Sequence, residues 1–353
     1  MNWNFIIFSL VKIAIAVGVV QGIVMYSVLA ERKISAWIQD RVGPNRTAPP
    51  FVKYIPILGP FLTRLGVFQP LADGLKFLVK EDFTPAGVKK IYFWLAPAIT
   101  VIPSMLVIAV IPFGSQMGAQ KMVIADLNVG ILYTFGIVSM GVYGIVLAGY
   151  AANSKYPFFG GIRSSAQMIS YEISMGMSVI PVLLIVGNLN LSQIISWQST
   201  HGWMFIYAPL SFIIFMVASF AETNRTPFDL PEAETELVGG YHTEYGSMKF
   251  ALFFLAEYSN MVASSAMMVT LFFGGWTLPF WGLDQPAHSL GMGIAQILVF
   301  LAKMLFFMVV FIWVRWMFPR FRYDQLMDLG WRRFLPLALV NILITAVWLW
   351  LRS

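Results

Sequence analysis

Three charged residues stand inside stretches that are otherwise apolar: Glu172, Glu257 and Lys303. A charge near the centre of a bilayer costs about 2.5–3.5 kcal/mol on insertion scales, so each needs a partner or a task. Each also has polar company. Glu257, Asn260 and Ser264 follow three- and four-residue steps and share one helix face. Arg163, Gln167, Ser170, Ser174 and Ser178 form a polar stripe. Glu172 lies about 200° from that stripe in helical projection. A helix polar on two faces suits enclosure by protein or water. Two readings follow, an ion path or a buried Glu–Lys pair that only fixes packing. Between these helices lies the densest acidic stretch, with Glu222, Asp229, Glu232, Glu234, Glu236 and Glu244. Carboxylates clustered in a low dielectric resist simultaneous ionisation, so some hold protons near neutral pH. A proton relay or an electrostatic switch needs that property. The plainer reading is a solvated loop, with Pro231 opening a short helix whose first-turn acids suit its dipole.

The elements that must position these residues follow from composition. Of 353 residues, 58% are hydrophobic and 11% charged, against about 45–50% and 25% in soluble domains. Mean hydropathy is +0.74. That excludes a disordered chain, a coiled coil and an ordinary soluble enzyme. Eight apolar runs are long enough to span, near 5–29, 93–111, 129–151, 169–186, 203–220, 250–273, 292–313 and 334–351. The expectation is an all-α polytopic membrane protein, one membrane domain over 1–353, with about eight transmembrane helices. Segment 60–82 reads as an amphipathic helix in the cytoplasmic-side interface. There Leu71, Leu75, Leu78 and Val79 line one face, with Asp73, Lys76 and Lys80 on others. The acidic loop occupies 221–249.

Charge places the loops. Segments 31–90, 152–168, 221–249 and 314–333 hold 19 of the 23 Lys and Arg. The positive-inside rule puts these loops in the cytoplasm and both termini outside. The net charge of +6 therefore reflects membrane topology, and no nucleic-acid partner is expected. There is no cysteine, which excludes disulfides and thiolate ligands to iron–sulfur clusters. No Walker A or dinucleotide fingerprint appears. His242 and Glu244 are too few for a metal site. Glycines 136, 141, 144 and 149 read as close helix packing.

Several longer motifs then fall in order along the chain. They are Ala30-Glu31-Arg32-Lys33 with Arg41 and Gly43-Pro44-Asn45-Arg46; Gln69-Pro70-Leu71-Ala72-Asp73; Ser170-Tyr171-Glu172; the run from Ala221-Glu222-Thr223-Asn224-Arg225 to Glu234; Gly240-Tyr241-His242-Thr243-Glu244-Tyr245; Ala256-Glu257-Tyr258; and Arg322-Tyr323-Asp324-Gln325. With them the chain resembles, along essentially its whole length, the H-type membrane subunit family of bacterial respiratory complex I, the NADH-quinone oxidoreductase. The mitochondrial counterpart is subunit 1.

The resemblance implies a membrane anchor for a peripheral arm that carries flavin and iron–sulfur clusters. Quinone is then the substrate, and no redox centre or covalent cofactor belongs to this chain. Arg32, Phe228 and Phe254 would line the quinone cavity, although an interfacial Arg32 paired with Glu31 or lipid phosphate is the plainer alternative. Asp73, Glu172, Glu222, Glu232, Glu234, Glu236, Glu244 and Glu257 fall at the positions of the family's proton-coupling carboxylates. Lys303 is the intramembrane cation. Arg41, Arg46, Arg225 and Asp229 would meet the peripheral arm. Implied partners are the quinone-site and iron–sulfur subunits of that arm, small membrane subunits, antiporter-like subunits and the lipid of a bacterial inner membrane. One departure is visible. Some relatives carry a carboxylate in span three, where Met140 stands here. The alternatives are the anchor of an energy-converting hydrogenase or other complex I-like oxidoreductase, a stand-alone proton-coupled transporter, or a passive scaffold.

Overall fold

The computed structural model describes residues 3–50, 52, 58–117, 120–279 and 283–352. Helix α1 (Trp3–Ile38) opens the chain. Its apolar stretch gives way to Glu31, Arg32 and Lys33, but no Gly or Pro follows before Gly43-Pro44, so the helix runs on. At 36 residues it is about 54 Å long, well beyond a hydrocarbon core of about 30 Å. Its charged last turns therefore stand at the membrane edge. Helices α2 (Leu58–Leu65) and α3 (Gln69–Val79) follow. Pro70 sits in the first turn of α3, where a missing N–H costs nothing. Leu71, Leu75, Leu78 and Val79 are exposed and face away from the bundle.

Helices α4 (Lys90–Leu106), α5 (Gly130–Ala151) and α6 (Lys155–Val186) pack in sequence. Two of the glycines of α5 explain how closely. A Cβ at Gly144 would stand 2.8 Å from the Thr100 nitrogen, and one at Gly149 2.6 Å from the Pro157 carbonyl oxygen. Gly136 and Gly141 have nothing within 4 Å and permit no such approach. A two-residue hairpin, β1 (Gln116–Met117) with β2 (Gln120–Lys121), lies between α4 and α5. The polar stripe of α6 turns inward. Gln167, Ser170, Ser174 and Ser178 are buried, and Gln167 Nε2 donates to the Ala221 and Phe228 carbonyls, each at 2.7 Å. The stripe thus holds the acidic loop.

After Gly187, in the left-handed conformation that ends α6, the chain forms α7 (Leu191–His201). The Asn190 side chain caps it by accepting from Ser192 N at 2.8 Å and Gln193 N at 3.2 Å. Sequence periodicity did not separate this helix from the next span. That fifth span is broken into α8 (Met204–Tyr207) and α9 (Pro209–Glu222). Pro209 supplies no N–H and restricts Ala208, which leaves helical geometry at φ −133°, ψ 61°. The 14 residues of α9 cover about 21 Å, shorter than a full crossing.

The acidic loop carries α10 (Glu234–Leu237) and leads to α11 (Ser247–Phe272), then α12 (Leu290–Met317). A π-helical turn joins α13 (Tyr323–Asp328) to α14 (Leu335–Trp350) in one long run. Among the described residues, seven helical runs are long and apolar enough to cross a bilayer, with α9 as a shorter apolar helix. The fold is all-α and polytopic. Tyr171, Phe215, Phe272 and Phe311 are fully buried where α6, α9, α11 and α12 meet. Within lipid their contribution is close packing, since hydrocarbon already surrounds the alternative.

Candidate functional site

The carboxylates converge where α1, the acidic loop, α11 and α12 meet. Arg225 is the hub. It follows Asn224, whose left-handed φ of 51° is tolerated by its short amide. That amide receives Gln167 Nε2 at 3.1 Å and donates to Ser164 Oγ at 3.2 Å, so α6 fixes the turn. Arg225 Nη1 donates to Glu31 Oε2 at 2.7 Å. Its Nε lies 2.6 Å from Glu257 Oε1, an ion pair whose N–H does not point along a hydrogen-bond line. The guanidinium sits 4.4 Å from the Tyr258 ring centroid, and the Tyr258 hydroxyl donates to Glu31 Oε2 at 2.7 Å. Arg315 donates to the other Glu31 oxygen. Two cations and two anions thus compensate each other in a desolvated cluster, the condition under which buried ions are tolerated.

Beside this cluster opens a cavity of about 400 Å³, walled by Arg225, Asp229, Glu232, His242 and Glu257, with Phe250 and Phe254 on its apolar side. Asp229 accepts from Arg320 Nη2 at 2.9 Å. Burial nevertheless raises its pKa, outweighing Arg320. Glu232 accepts from the Tyr241 hydroxyl at 2.9 Å. Burial, then the charges of Glu257 and Asp229, hold its pKa well above the usual carboxylate range. Three polar atoms of cavity residues, Arg225 Nη2, Thr226 Oγ1 and Asp229 Oδ1, are buried without a hydrogen-bond partner among the described residues.

Local backbone sets this wall. Gly240 adopts φ +63°, and α6 passes it at Gly160, where a Cβ would stand 2.7 Å from Tyr241 N. That close approach seats Tyr241 and His242 against the cavity.

A model of the family described as NADH dehydrogenase matches residues 11–346. An NADH-quinone oxidoreductase H-type subunit of Cytophaga hutchinsonii is 49% identical over 330 residues, 92% of this chain and 91% of that one. Its namesake in Geobacter metallireducens is 48% identical over 347 residues, 97% of each chain. The NADH-quinone oxidoreductase subunit 8 of Rhodothermus marinus is 49% identical over 329 residues, 91% of each. The chain belongs to the NADH dehydrogenase family. These relatives are named as subunits of an oxidoreductase complex, and the chain is an integral membrane protein.

Within this family member, the other residues singled out by sequence fall in several places. Arg32 is partly exposed and pairs with Asp73 at 2.8 Å, which ties α1 to α3; its partner is therefore not Glu31. Phe254 lines the cavity. Phe228 is buried in the core instead, stacked on Phe321 at 5.5 Å and tilted against Tyr171 at 5.6 Å. Glu236 pairs with Arg163 at 2.6 Å near the surface, and Glu244 is partly buried outside the cavity wall. The side chain of Glu234 lies outside the described residues. Arg41 and Arg46 are exposed, and Arg41 borders a separate open cavity with Trp37 and Arg64. Glu222 lines a small cavity with Asn260 and Ser264. Glu172 bonds Ser139 of α5, while Met140 is half-exposed.

Among the described residues Lys303 makes no pair with a glutamate. Its ammonium donates to the carbonyls of Phe273, Gly275 and Thr277 at 2.7, 3.0 and 2.5 Å. These carbonyls belong to the turn that follows α11, at the end of that helix away from Glu257 and the Arg225 cluster.

Sequence reasoning missed Glu31, Tyr258 and Arg315 as parts of the hub. A signal for Glu31 was present: Val20, Val24, Ser27 and Glu31 are all buried and lie at helical spacing on one face of α1.

His242 yields a pH prediction. Burial lowers its pKa to about 4, and its ring stands 3.7 Å from Glu232, whose proton affinity burial raises. Between pH 4 and 6.5 the unfolded chain binds the His242 proton and the folded chain does not. Stability from this group therefore rises with pH across that window and is lost as pH falls, by about 3 kcal/mol in full. Asp229 and Glu232, with raised values, contribute the opposite slope above their ordinary range. His242→Gln is expected to raise the acid-side melting temperature relative to the parent and to match the parent's pH trend above about pH 7. Thermal melting of the solubilised protein across this range measures it. Identical slopes would contradict the burial of a neutral His242.

Proposed function

We propose that this chain is the membrane subunit of an NADH-quinone oxidoreductase that anchors the peripheral redox arm, shapes the quinone cavity and couples quinone reduction to proton translocation. The observation that carries the reading is the 400 Å³ cavity, which joins an apolar wall of Phe250 and Phe254 to Arg225 and to carboxyls whose proton affinity burial raises. A quinone has the same division, an apolar body with two carbonyl oxygens that must gain protons on reduction.

Phe254 offers the apolar contact, and Arg32 with Asp73 stands on the α1–α3 side. Phe228 supports the cavity from the core. Arg225, at 5% side-chain exposure, is assigned to the cavity rather than to docking. Arg41 and Arg46 remain on the face that meets the peripheral arm. Flavin and iron–sulfur chemistry belongs to partner subunits. Quinone takes two electrons from them and two protons from its surroundings. The charge change shifts the proton affinities of Asp229, Glu232 and Glu257, and from there of Glu222 and Glu172. Each pKa unit is worth about 1.4 kcal/mol, so a few coupled carboxylates can bias a conformational switch. Positive loops place the arm in the cytoplasm and the termini in the periplasm of a bacterial inner membrane.

The test is an affinity pull-down of the chain in mild detergent, with mass spectrometry and an NADH:quinone assay on the eluate. Flavin and iron–sulfur subunits with inhibitor-sensitive quinone reduction are expected. Nickel–iron hydrogenase subunits without quinone activity would move the chain to the hydrogenase branch, and a lone chain would overturn the assignment.

A further inference from the structure

A second cleft, of about 160 Å³, lies between α1, the segment after α4, α11 and α12. It shares no residue with the cavity beside Arg225. Its walls are apolar throughout, with Ile15, Val19 and Ile23 on α1, Ala266 on α11 and Phe300 on α12. Ile15 and Val19 are exposed, so the cleft opens on the outer surface of the bundle.

Depth places it in one leaflet. Glu31 stands near the membrane edge at the far end of α1. Lys12 lies about 28 Å from Glu31 along a helix rising about 1.5 Å per residue, close to the roughly 30 Å of a hydrocarbon core. Lys12 is therefore at the opposite edge. From Lys12 to Ile23 is about 16 Å, about half of that core. The cleft thus runs from one membrane edge to the midplane, the depth reached by one acyl chain.

A cation stands at its mouth. Lys12 is one helical turn before Ile15 and Ala16, on the face of α1 that lines the cleft. It is half-buried, and its ammonium donates to the Lys121 carbonyl at 2.9 Å. The next residue, Met122, accepts from the backbone N–H of Phe113 at 3.1 Å, and Phe113 belongs to the cleft wall. An ammonium carries three donors, and among the described residues only one of these has a partner. The neighbouring charges are already matched. Lys121 pairs with Asp126, whose other oxygen accepts from Asn190 Nδ2 at 2.9 Å and Ser192 Oγ at 3.2 Å. One uncompensated positive charge therefore heads a wholly apolar slot. We infer that this cleft binds an anionic phospholipid, one acyl chain seated between α1, α11 and α12 and the phosphate on Lys12. A lysine that merely snorkels to the interface would hold no particular headgroup. The inference does not depend on the function proposed above.

The test uses the chain purified in mild detergent with the subunits that accompany it, reconstituted in phosphatidylcholine vesicles. These hold a graded fraction of phosphatidylglycerol with a diazirine midway along one acyl chain. After illumination, labelled residues are mapped by mass spectrometry. Saturable labelling of Val19 and Phe300 is expected, against labelling of Leu343, an exposed apolar residue of α14, that only follows the lipid fraction. Lys12→Gln should raise the half-saturating fraction about fivefold, the usual worth of one lysine at a lipid surface. Lys12→Arg should restore it. Ala16→Phe, which fills the cleft, should remove labelling there and leave Leu343 labelled. Parental half-saturation in Lys12→Gln would overturn the inference, as would equal saturation by phosphatidylcholine carrying the same diazirine. So would a cleft that stays unlabelled while Leu343 is labelled, the result expected if a helix of another subunit fills it.

Discussion

Arg225→Met is expected to destabilise the folded protein by about 3–5 kcal/mol, the usual cost of stranding buried charges by removing one partner. Arg225 bonds Glu31 at 2.7 Å and pairs with Glu257 at 2.6 Å, so the substitution strips Glu257 of its cation and leaves Glu31 to Arg315 alone. Methionine fills the volume but returns no charge. Three elements lose their common tie: α1 through Glu31, the acidic loop through Arg225, and α11 through Glu257. The variant should accumulate poorly in membranes and melt at lower temperature after solubilisation. Arg225→Lys should fall between, because one ammonium lacks the fork that reaches two carboxylates. Parental melting and abundance for Arg225→Met would show that the cluster is not a tie.

Glu257→Gln is expected to impair turnover more than assembly. The amide keeps the side-chain volume and an oxygen facing Arg225, while Arg225 retains Glu31. What disappears is the capacity to take up and release a proton between the cavity and the helices behind it. Proton-coupled quinone reduction should fall about 100-fold, the lower range for removing a positioned acid or base. NADH oxidation by an artificial acceptor reports assembly. An assembled Glu257→Gln complex pumping at the parent's rate would remove Glu257 from the path.

The two predictions rest on contacts of different legibility. Glu172 and Glu257 declared themselves, because a charge in an apolar run is informative before any contact is known. Glu31 did not, because its partner Arg225 is 194 positions away and a basic cluster at a helix end has a simple interfacial explanation. The break in span five was written in Pro209. The helix α7, short and only weakly periodic, was hidden beside it. Lys303 invited an acidic partner, yet carbonyls of the turn after α11 satisfy it, and these are invisible in side-chain patterns. The glycines at 136, 141, 144 and 149 divided for a related reason: composition marks where approach is allowed, and the neighbouring helix decides where it occurs.

The account's central claim is that buried carboxylates of this chain move protons when quinone is reduced. Glu172 tests it most directly, since it lies deep in α6, away from the face assigned to docking. The measurement is the number of protons translocated per electron by the assembled complex in sealed vesicles, for the parent and Glu172→Gln. The account predicts an assembled variant whose artificial-acceptor activity persists while protons per electron and quinone-coupled turnover collapse. A Glu172→Gln complex that keeps the parent's ratio and rate would contradict it and leave the chain a scaffold for chemistry done elsewhere.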